Sequence, residues 1–506
     1  MNERALKILS KINMEVVKRL NSSLMIKQAP RSPLSDIFSS ALEGKSLKRK
    51  DSPVDLAAKG SREAHSALVD QISICITKEL RINQAMVDEV LEGYYFNYFG
   101  KPEDLTSTDS EILLDFIGRI LISKDADPDD KIRKISQVIY QECFGYGCLD
   151  EFRYLGMDKA TYHKVEEIFC FGPNTLALKI SGIDFKLDKL YYPEDQINRV
   201  VNKLSRSSDV GLSKANPKVE TELMDQSRVT LNKAPLTKFS TFNIRLHYSG
   251  GLGTKDFIKL RSTSAEAERF LDLIMKFKPR FAFFGGQGVG KTTQIVNLCR
   301  RYPANTTIVT GESAFELALE NIQHLIVNPM RLGILSTEEF LKALFRFNAK
   351  MLLMGEARDA EDCILITQAA QRTEFGTVFS WHTGDVMEGI YGIANSLVRA
   401  GAFRTLFEAV KEVCNSLDYA VVPRVADAST GYEGRRHIYQ IIEVGKIHHE
   451  GEIPKLRTLF EYDYKLGELV NTHEGISEEM AEILGKRQPL NENYLKILRS
   501  GNYLFN

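Results

Sequence analysis

The sequence predicts an α/β protein: a C-terminal domain on a mostly parallel sheet, preceded by a smaller α/β N-terminal domain and a helical N-terminal extension. Three observations lead there. Beyond about residue 262, short apolar runs alternate with helical stretches, the pattern of a parallel sheet covered on both faces. Residues 165–250 carry short strands and a helix of their own. At 506 residues the chain is too long for one core, so two or three domains are expected.

Taken in order, residues 1–65 combine an amphipathic helix with a flexible linker. Leu6, Leu9, Ile12, Val16, Val17 and Leu20 recur at helical spacing with basic residues between them. Two readings are open for that helix: a membrane-surface or partner-binding element, or a helix docked on its own protein, which is favoured. Residues 28–64 are polar and broken by Pro30, Pro33 and Pro53, with Lys45, Lys48, Arg49 and Lys50 between them. From 66 to 150 apolar residues recur three and four apart, predicting a helical domain closed by Gly145-Tyr146-Gly147. Residues 151–250 form the α/β domain, with strands over Val165–Phe171, Leu176–Ile180 and Phe239–Leu246 and a helix across 194–207. Gly250-Gly251-Leu252-Gly253 reads as a hinge.

The C-terminal domain spans 262–472. Its strands are expected at Phe281–Phe284, Thr306–Thr310, Leu325–Val327, Met351–Met354, Thr377–Ser380, Tyr419–Val422 and Ile438–Val444, and residues 473–506 read as a helical tail. Composition narrows the function. The 66 basic and 67 acidic residues nearly cancel, which gives no electrostatic case for an obligatory nucleic-acid partner. Seven scattered cysteines without a CxxC pair support neither a zinc clamp nor a disulfide framework. No apolar run approaches the length of a membrane span, and the amino terminus does not read as a signal peptide, so a cytoplasmic protein is expected.

The most specific signal follows the strand Phe281–Phe284: Gly285-Gly286-Gln287-Gly288-Val289-Gly290-Lys291-Thr292-Thr293. It satisfies G-x-x-x-x-G-K-[ST] between a strand and a helix, the context a phosphate-binding loop requires. Glycines let backbone amides approach phosphates closely, and the helix amino terminus adds partial positive charge. The chemistry expected is that of a P-loop NTPase of RecA-like fold hydrolysing ATP with Mg²⁺. Lys291 contacts the β- and γ-phosphates and the Thr292 hydroxyl ligates the metal.

Two acidic partners are candidates. Glu356 ends the apolar strand Met351–Met354 and is expected to hold the metal through a water and to order the attacking water. Glu312, at the end of Ile308-Val309-Thr310-Gly311 with Glu316 four residues on, is the candidate for activating that water. His382 ends the third such run, placed to hydrogen-bond the γ-phosphate or a catalytic glutamate. Singly, each is as readily a helix-start carboxylate or a structural histidine; their shared strand-end placement favours catalysis.

In this order, the loop, the Glu312–Glu316 box, Gly355-Glu356-Ala357-Arg358 and the His382 box resemble the secretion-superfamily ATPases of type II and type IV secretion and of type IV and Tad pili. The Tad-pilus and conjugation-type branch is the most similar, over about 140–465. Phe171-Gly172-Pro173-Asn174, Asp225-Gln226-Ser227-Arg228-Val229 and Ile244-Arg245 resemble that branch ahead of the loop. Gly434-Arg435-Arg436 with Ile442-Glu443-Val444, then Leu459-Phe460, resemble it behind. The resemblance implies a homo-hexamer at the inner face of the membrane, docked on an inner-membrane platform protein. It also implies that Arg228 and Arg245 reach the phosphates from the first domain. Departures are Glu312-Ser313 in place of Glu-Asp, Arg372-Thr373-Glu374-Phe375-Gly376 at the start of the histidine box, and Gln287 and Val289 inside the loop. A nucleotide-gated docking platform with low hydrolysis and a DNA translocase are the alternatives.

Overall fold

A computed structural model of the chain describes residues 3–27, 56–57, 61–99, 126–147, 149–155, 165–173, 175–180, 182–187, 194–208, 210–246, 253–432, 434–489 and 492–503. Cys148, Asn174, most of the 28–64 linker and the hinge residues 250–252 lie outside them. The chain divides into two compact units, Met1–Tyr248 and Ser249–Asn506.

The first unit opens with helices α1 (Glu3–Lys27), α2 (Arg62–Ile74), α3 (Gln84–Phe99), α4 (Pro128–Cys143) and α5 (Leu149–Leu155). Leu9, Ile12, Val16 and Leu20 of α1 fall three or four apart and are buried, and the helix packs on α3 and α4. The apolar face of α1 is therefore covered by the unit's own helices. Helix α4 starts where the sequence provides a stop and a cap: Asp127 accepts from the Asp129 N–H, with Pro128 in the first turn.

Strands β1 (Val165–Cys170), β2 (Leu176–Ile180) and β3 (Ile183–Lys186) precede α6 (Glu194–Leu204), and β4 (Lys218–Glu222), β5 (Arg228–Asn232) and β6 (Thr241–Arg245) follow it. They form one antiparallel sheet in the order β3-β2-β1-β6-β5-β4. Strands β3, β4 and β5 were not legible as apolar runs, because Lys218–Glu222 and Arg228–Asn232 bury only alternate or fewer residues. Helices and sheet share one buried cluster running from Leu9 to Leu246. A buried ionic group ties them further. Arg153 of α5 reaches Asp150 at 3.4 Å and Asp225, in the turn before β5, at 3.3 Å. Burial pushes the Asp150 carboxyl up to about 6, while Arg153 pulls it down.

The second unit holds α7 (Thr254–Lys259), α8 (Ala265–Ile274), β7 (Phe281–Phe284), α9 (Lys291–Cys299), β8 (Thr306–Glu312), β9 (Leu325–Arg331), α10 (Thr337–Arg346), β10 (Met351–Met354), α11 (Ala360–Arg372), β11 (Thr377–Trp381), α12 (Val386–Arg399), α13 (Leu406–Asn415), β12 (Tyr419–Val425), β13 (Arg436–Val444), β14 (Leu456–Asp463), β15 (Glu468–Asn471), α14 (Glu478–Arg487) and α15 (Glu492–Ser500). The nine strands run β15-β14-β13-β12-β7-β11-β10-β8-β9, parallel from β12 to β9 and antiparallel from β12 through β15.

Alternate residues of the central strands enter two different cores. Phe281, Phe283, Met351, Leu353, Val378 and Tyr419 face one. Ala282, Phe284, Leu352, Met354, Phe379 and Ala420 face the other. A sheet buried on both faces needs apolar residues at every position, which is why these strands read as unbroken runs. Met480, Leu484 and Leu498 bring the two tail helices into the first core.

Candidate nucleotide site

Parallel strands deliver their C-terminal ends to one edge of a sheet, and the candidate residues of the second unit lie along that edge. Strand β7 ends at Phe284, and the chain then loops through 285–290 into α9. Gly288 and Gly290 take φ of +74° and +94°, a region that side chains disfavour. A Cβ on Gly285 would stand 3.0 Å from the Pro423 carbonyl and closer to Val289. Glycine thus shapes the loop at both positions the motif demands, Gly285 and Gly290, and at Gly288 between them.

Lys291 opens α9 and is nearly buried. Its Nζ donates to the carbonyls of Gly285 and Gly286, both at 2.8 Å, and lies 3.4 Å from His382 Nδ1. His382 directly follows β11, and its Nε2 pairs with Glu356 Oε1. Glu356 stands two residues beyond β10, and its other oxygen accepts from Arg358 Nε at 2.8 Å. Lys291, His382 and Glu356 therefore form one polar chain across the ends of β7, β11 and β10. Strand β11 separates β7 from β10, so Glu356 is not beside the loop's own strand; the histidine spans that gap.

Protonation follows from the geometry. An ammonium only donates, so His382 Nδ1 accepts from Lys291 and Nε2 carries the hydrogen given to Glu356. Burial and the neighbouring Lys291 charge both lower the His382 pKa, which favours this neutral ring. Burial raises the Glu356 carboxyl, but the Arg358 hydrogen bond and charge, with His382 and Lys291, outweigh it and hold the group below the usual carboxylate range. Ser380 fixes the loop carrying Glu356: its Oγ donates to the Gly355 carbonyl at 2.6 Å, and its own carbonyl accepts from the Ala357 N–H.

Glu312 is placed differently. It ends β8, two strands beyond β11, and is buried. One carboxylate oxygen accepts from Thr310 Oγ1 at 2.7 Å; the other accepts from the amides of Glu316 and Leu317 at 2.8 and 2.9 Å. Burial raises its pKa despite these three bonds. Its Cγ does approach Gly355, 3.6 Å from where a Cβ would stand, so it backs the segment bearing Glu356.

Arg228 and Arg245 belong to the first unit and face each other across β5 and β6. The same cross-strand row continues through Glu222 on one side and through Glu167, Lys179 and Asp184 on the other. Arg245 Nε lies 3.9 Å from Glu167. Two arginines directly opposite repel, so acidic neighbours flanking them steady the pair.

Three residues at the edge carry no role in the sequence reading, although Arg358 stands in the Gly355–Arg358 box. Arg358 pairs with Glu356, Pro423 closes against Gly285, and Arg436 Nε donates to the Gly288 carbonyl at 2.7 Å. The Arg435-Arg436 pair was visible, but only as part of a hairpin.

Comparison with known proteins places the chain. Residues 183–454, more than half of it, match the family described as "Type II/IV secretion system protein". The chain belongs to that family. This secretion-family chain is 24% identical over 243 residues to the protein transport protein HofB homolog of Haemophilus influenzae, covering 46% of this chain and 49% of that protein. It is 34% identical over 111 residues to the competence protein ComGA of Bacillus subtilis, covering 22% and 30%. It is 28% identical over 152 residues to VirB11 of Rhizobium radiobacter, covering 29% and 40%. The chain thus spans about half the length of the first of these relatives and less of the others. Similar solved structures include the ATPase DotB of Legionella pneumophila (13% identity, 72% of this chain and 89% of that one, TM-score 0.43) and the VirB11 ATPase of the Brucella suis type IV secretion system (16%, 55% and 89%, 0.31). Among the described residues, no helix is long and apolar enough to cross a membrane.

Proposed function

We propose that this chain is an ATP-hydrolysing motor of RecA-like P-loop fold, closest to the Tad-pilus and conjugation-type branch of its family. It works as a homo-hexamer, peripherally associated with the cytoplasmic face of the membrane, and drives pilus assembly or type II/IV-type secretion through an inner-membrane platform protein. The observation that carries this reading is the Lys291–His382–Glu356 chain at the mouth of the 285–291 loop. The loop's glycines let backbone amides approach an anion closely, and Lys291 stands at the loop's end, so a triphosphate tail fits the groups present. Thr292 and Glu356 would hold Mg²⁺, which when bound supplies charge neutralisation to the phosphates.

The residues divide the remaining work. Lys291 neutralises charge on the β- and γ-phosphates. His382, neutral and aimed by Glu356, can report the nucleotide's arrival to β10 through one ring. Arg228 and Arg245 are the further positive charges that this reading assigns to the phosphates. Glu312 takes a proton from the attacking water, with the γ-phosphoryl leaving ADP for that oxygen.

The inward-turned Glu312, with both oxygens engaged in its own loop, favours a second reading: a nucleotide-gated docking platform with little hydrolysis. Steady-state phosphate release with Mg²⁺, measured beside native mass, separates the two. A motor releases phosphate steadily as a hexamer. Nucleotide binding without turnover, whatever the mass, sinks the motor reading for the isolated chain. In the same assay Glu312→Gln is expected to lower release while leaving ADP affinity unchanged; undiminished release would confine Glu312 to holding residues 310–317.

A further inference from the structure

We propose that Arg436 is a positioning residue for the phosphate loop, clamping the Gly288–Val289 peptide so that the Val289 N–H is presented to the phosphates. The proposal rests on the nucleotide reading above and adds to it a residue outside the motif.

Arg436 opens β13, two strands from β7, yet its side chain returns to the loop. Its Nε donates to the Gly288 carbonyl at 2.7 Å, and its Cδ lies 3.5 Å from where a Cβ on Gly290 would stand. The guanidinium stem therefore runs along Gly288–Gly290. In a trans peptide the C=O and the following N–H point in opposite directions. Holding the Gly288 oxygen on the Arg436 side therefore turns the Val289 N–H to the other side. A positive charge on the carbonyl also polarises the peptide and makes that N–H a stronger donor.

The loop needs such a clamp. Gly285, Gly286, Gly288 and Gly290 supply no side chains to fix its peptide planes, and glycine has the most conformational freedom to lose. Lys291 holds the loop's first two carbonyls. Arg436 holds the next one along that the structure ties to a cation.

The clamp itself is well anchored. Arg436 pairs with Val425 of β12, and its carbonyl accepts from Ser262 Oγ at 2.6 Å. The Ser262 carbonyl in turn accepts from the Ile438 N–H at 2.8 Å. A rigid strand end bonded on two sides is the kind of support a preorganised binding group requires.

The test compares Arg436→Gln and Arg436→Lys with Arg435→Gln, the adjacent charge, which lies over the Tyr432 ring. Binding of ADP and of inorganic pyrophosphate is measured by competition, with ATP turnover and unfolding midpoint alongside. Arg436→Gln is expected to weaken ADP and pyrophosphate alike by about tenfold, the size of a charge-assisted hydrogen bond. KM for ATP should rise in step while kcat changes by less than about threefold, since the clamp acts on binding. Arg436→Lys should recover part of the affinity, and Arg435→Gln should stay within about twofold of the parent. Unchanged ADP affinity in Arg436→Gln, with affinity lost in Lys291→Ala, would overturn the clamp alone. An equal loss in Arg435→Gln would overturn it in favour of a general charge effect. Unchanged affinity in Lys291→Ala as well would overturn the nucleotide reading on which it rests.

Discussion

Lys291→Ala is expected to lower steady-state phosphate release by roughly 10²–10³-fold, the cost of removing one preorganised donor from a developing charge. The fold should survive, because position 291 begins a helix that alanine favours and its Nζ bonds loop carbonyls and His382, not core side chains. The same substitution makes a signed prediction at His382. Burial and the Lys291 charge hold that imidazole below its ordinary pKa, while Glu356 pulls it up. Removing Lys291 deletes one lowering influence and leaves Glu356 in place, so the His382 pKa rises; Glu356→Gln moves it the other way. Histidine-ring NMR titration reads both shifts. A fall in Lys291→Ala would mean that the ammonium does not face the ring and that the polar chain at the strand ends is broken.

Much of this site was legible because the sheet is parallel. Glu356 and His382 sit just past apolar runs, Lys291 closes the loop that follows another, and parallel strands carry such positions to one edge whatever their order. The order itself was not legible. Glu312 also ends an apolar run, but β10 and β11 stand between its strand and β7, and its carboxylate turns back on Glu316 and Leu317. Nothing in its spacing distinguishes it from Glu356.

Bounds followed the same logic. Strands β2, β7 and β10 run where their apolar runs do, because the cores that bury them end where the runs end. The polar strands β4, β5 and β15 exist through pairing with neighbours more than through burial, so their residues advertise little. The place of Arg436 beside the phosphate loop was unreadable for a topological reason. Only the antiparallel return of β13 beside β12 brings it back to a loop about 150 residues earlier in the chain.

The largest effect on stability is expected away from the site, at Asp418. This carboxylate is fully buried at the foot of β12. It accepts from Lys446 Nζ at 2.9 Å, from Arg487 Nη2 at 3.0 Å and from the Arg280 N–H at 2.9 Å. It therefore joins the residue before β7 to the end of β13 and to the last turn of α14. Asp418→Ala leaves the buried Lys446 ammonium without its counter-charge, a change that costs about 3–5 kcal/mol. For a unit of this size the melting midpoint should fall by about 10 °C. Burial alone would raise the Asp418 pKa, but Lys446 and Arg487 outweigh it and hold the group well below the usual carboxylate range. A depressed folded-state pKa contributes stability that is present above the unfolded value and lost as pH falls through the folded one. The gap between parent and Asp418→Ala should accordingly be constant near neutral pH and shrink below about pH 4, where the unfolded carboxyl takes up its proton. Adding Lys446→Met to Asp418→Ala removes the stranded charge and should recover part of the loss, since an apolar replacement of a buried pair is often neutral. Urea midpoints of the single and double variants across pH measure both effects. A gap that widened on acidification would show that Asp418 is folded in its protonated form and that Lys446 and Arg487 are not its charge partners.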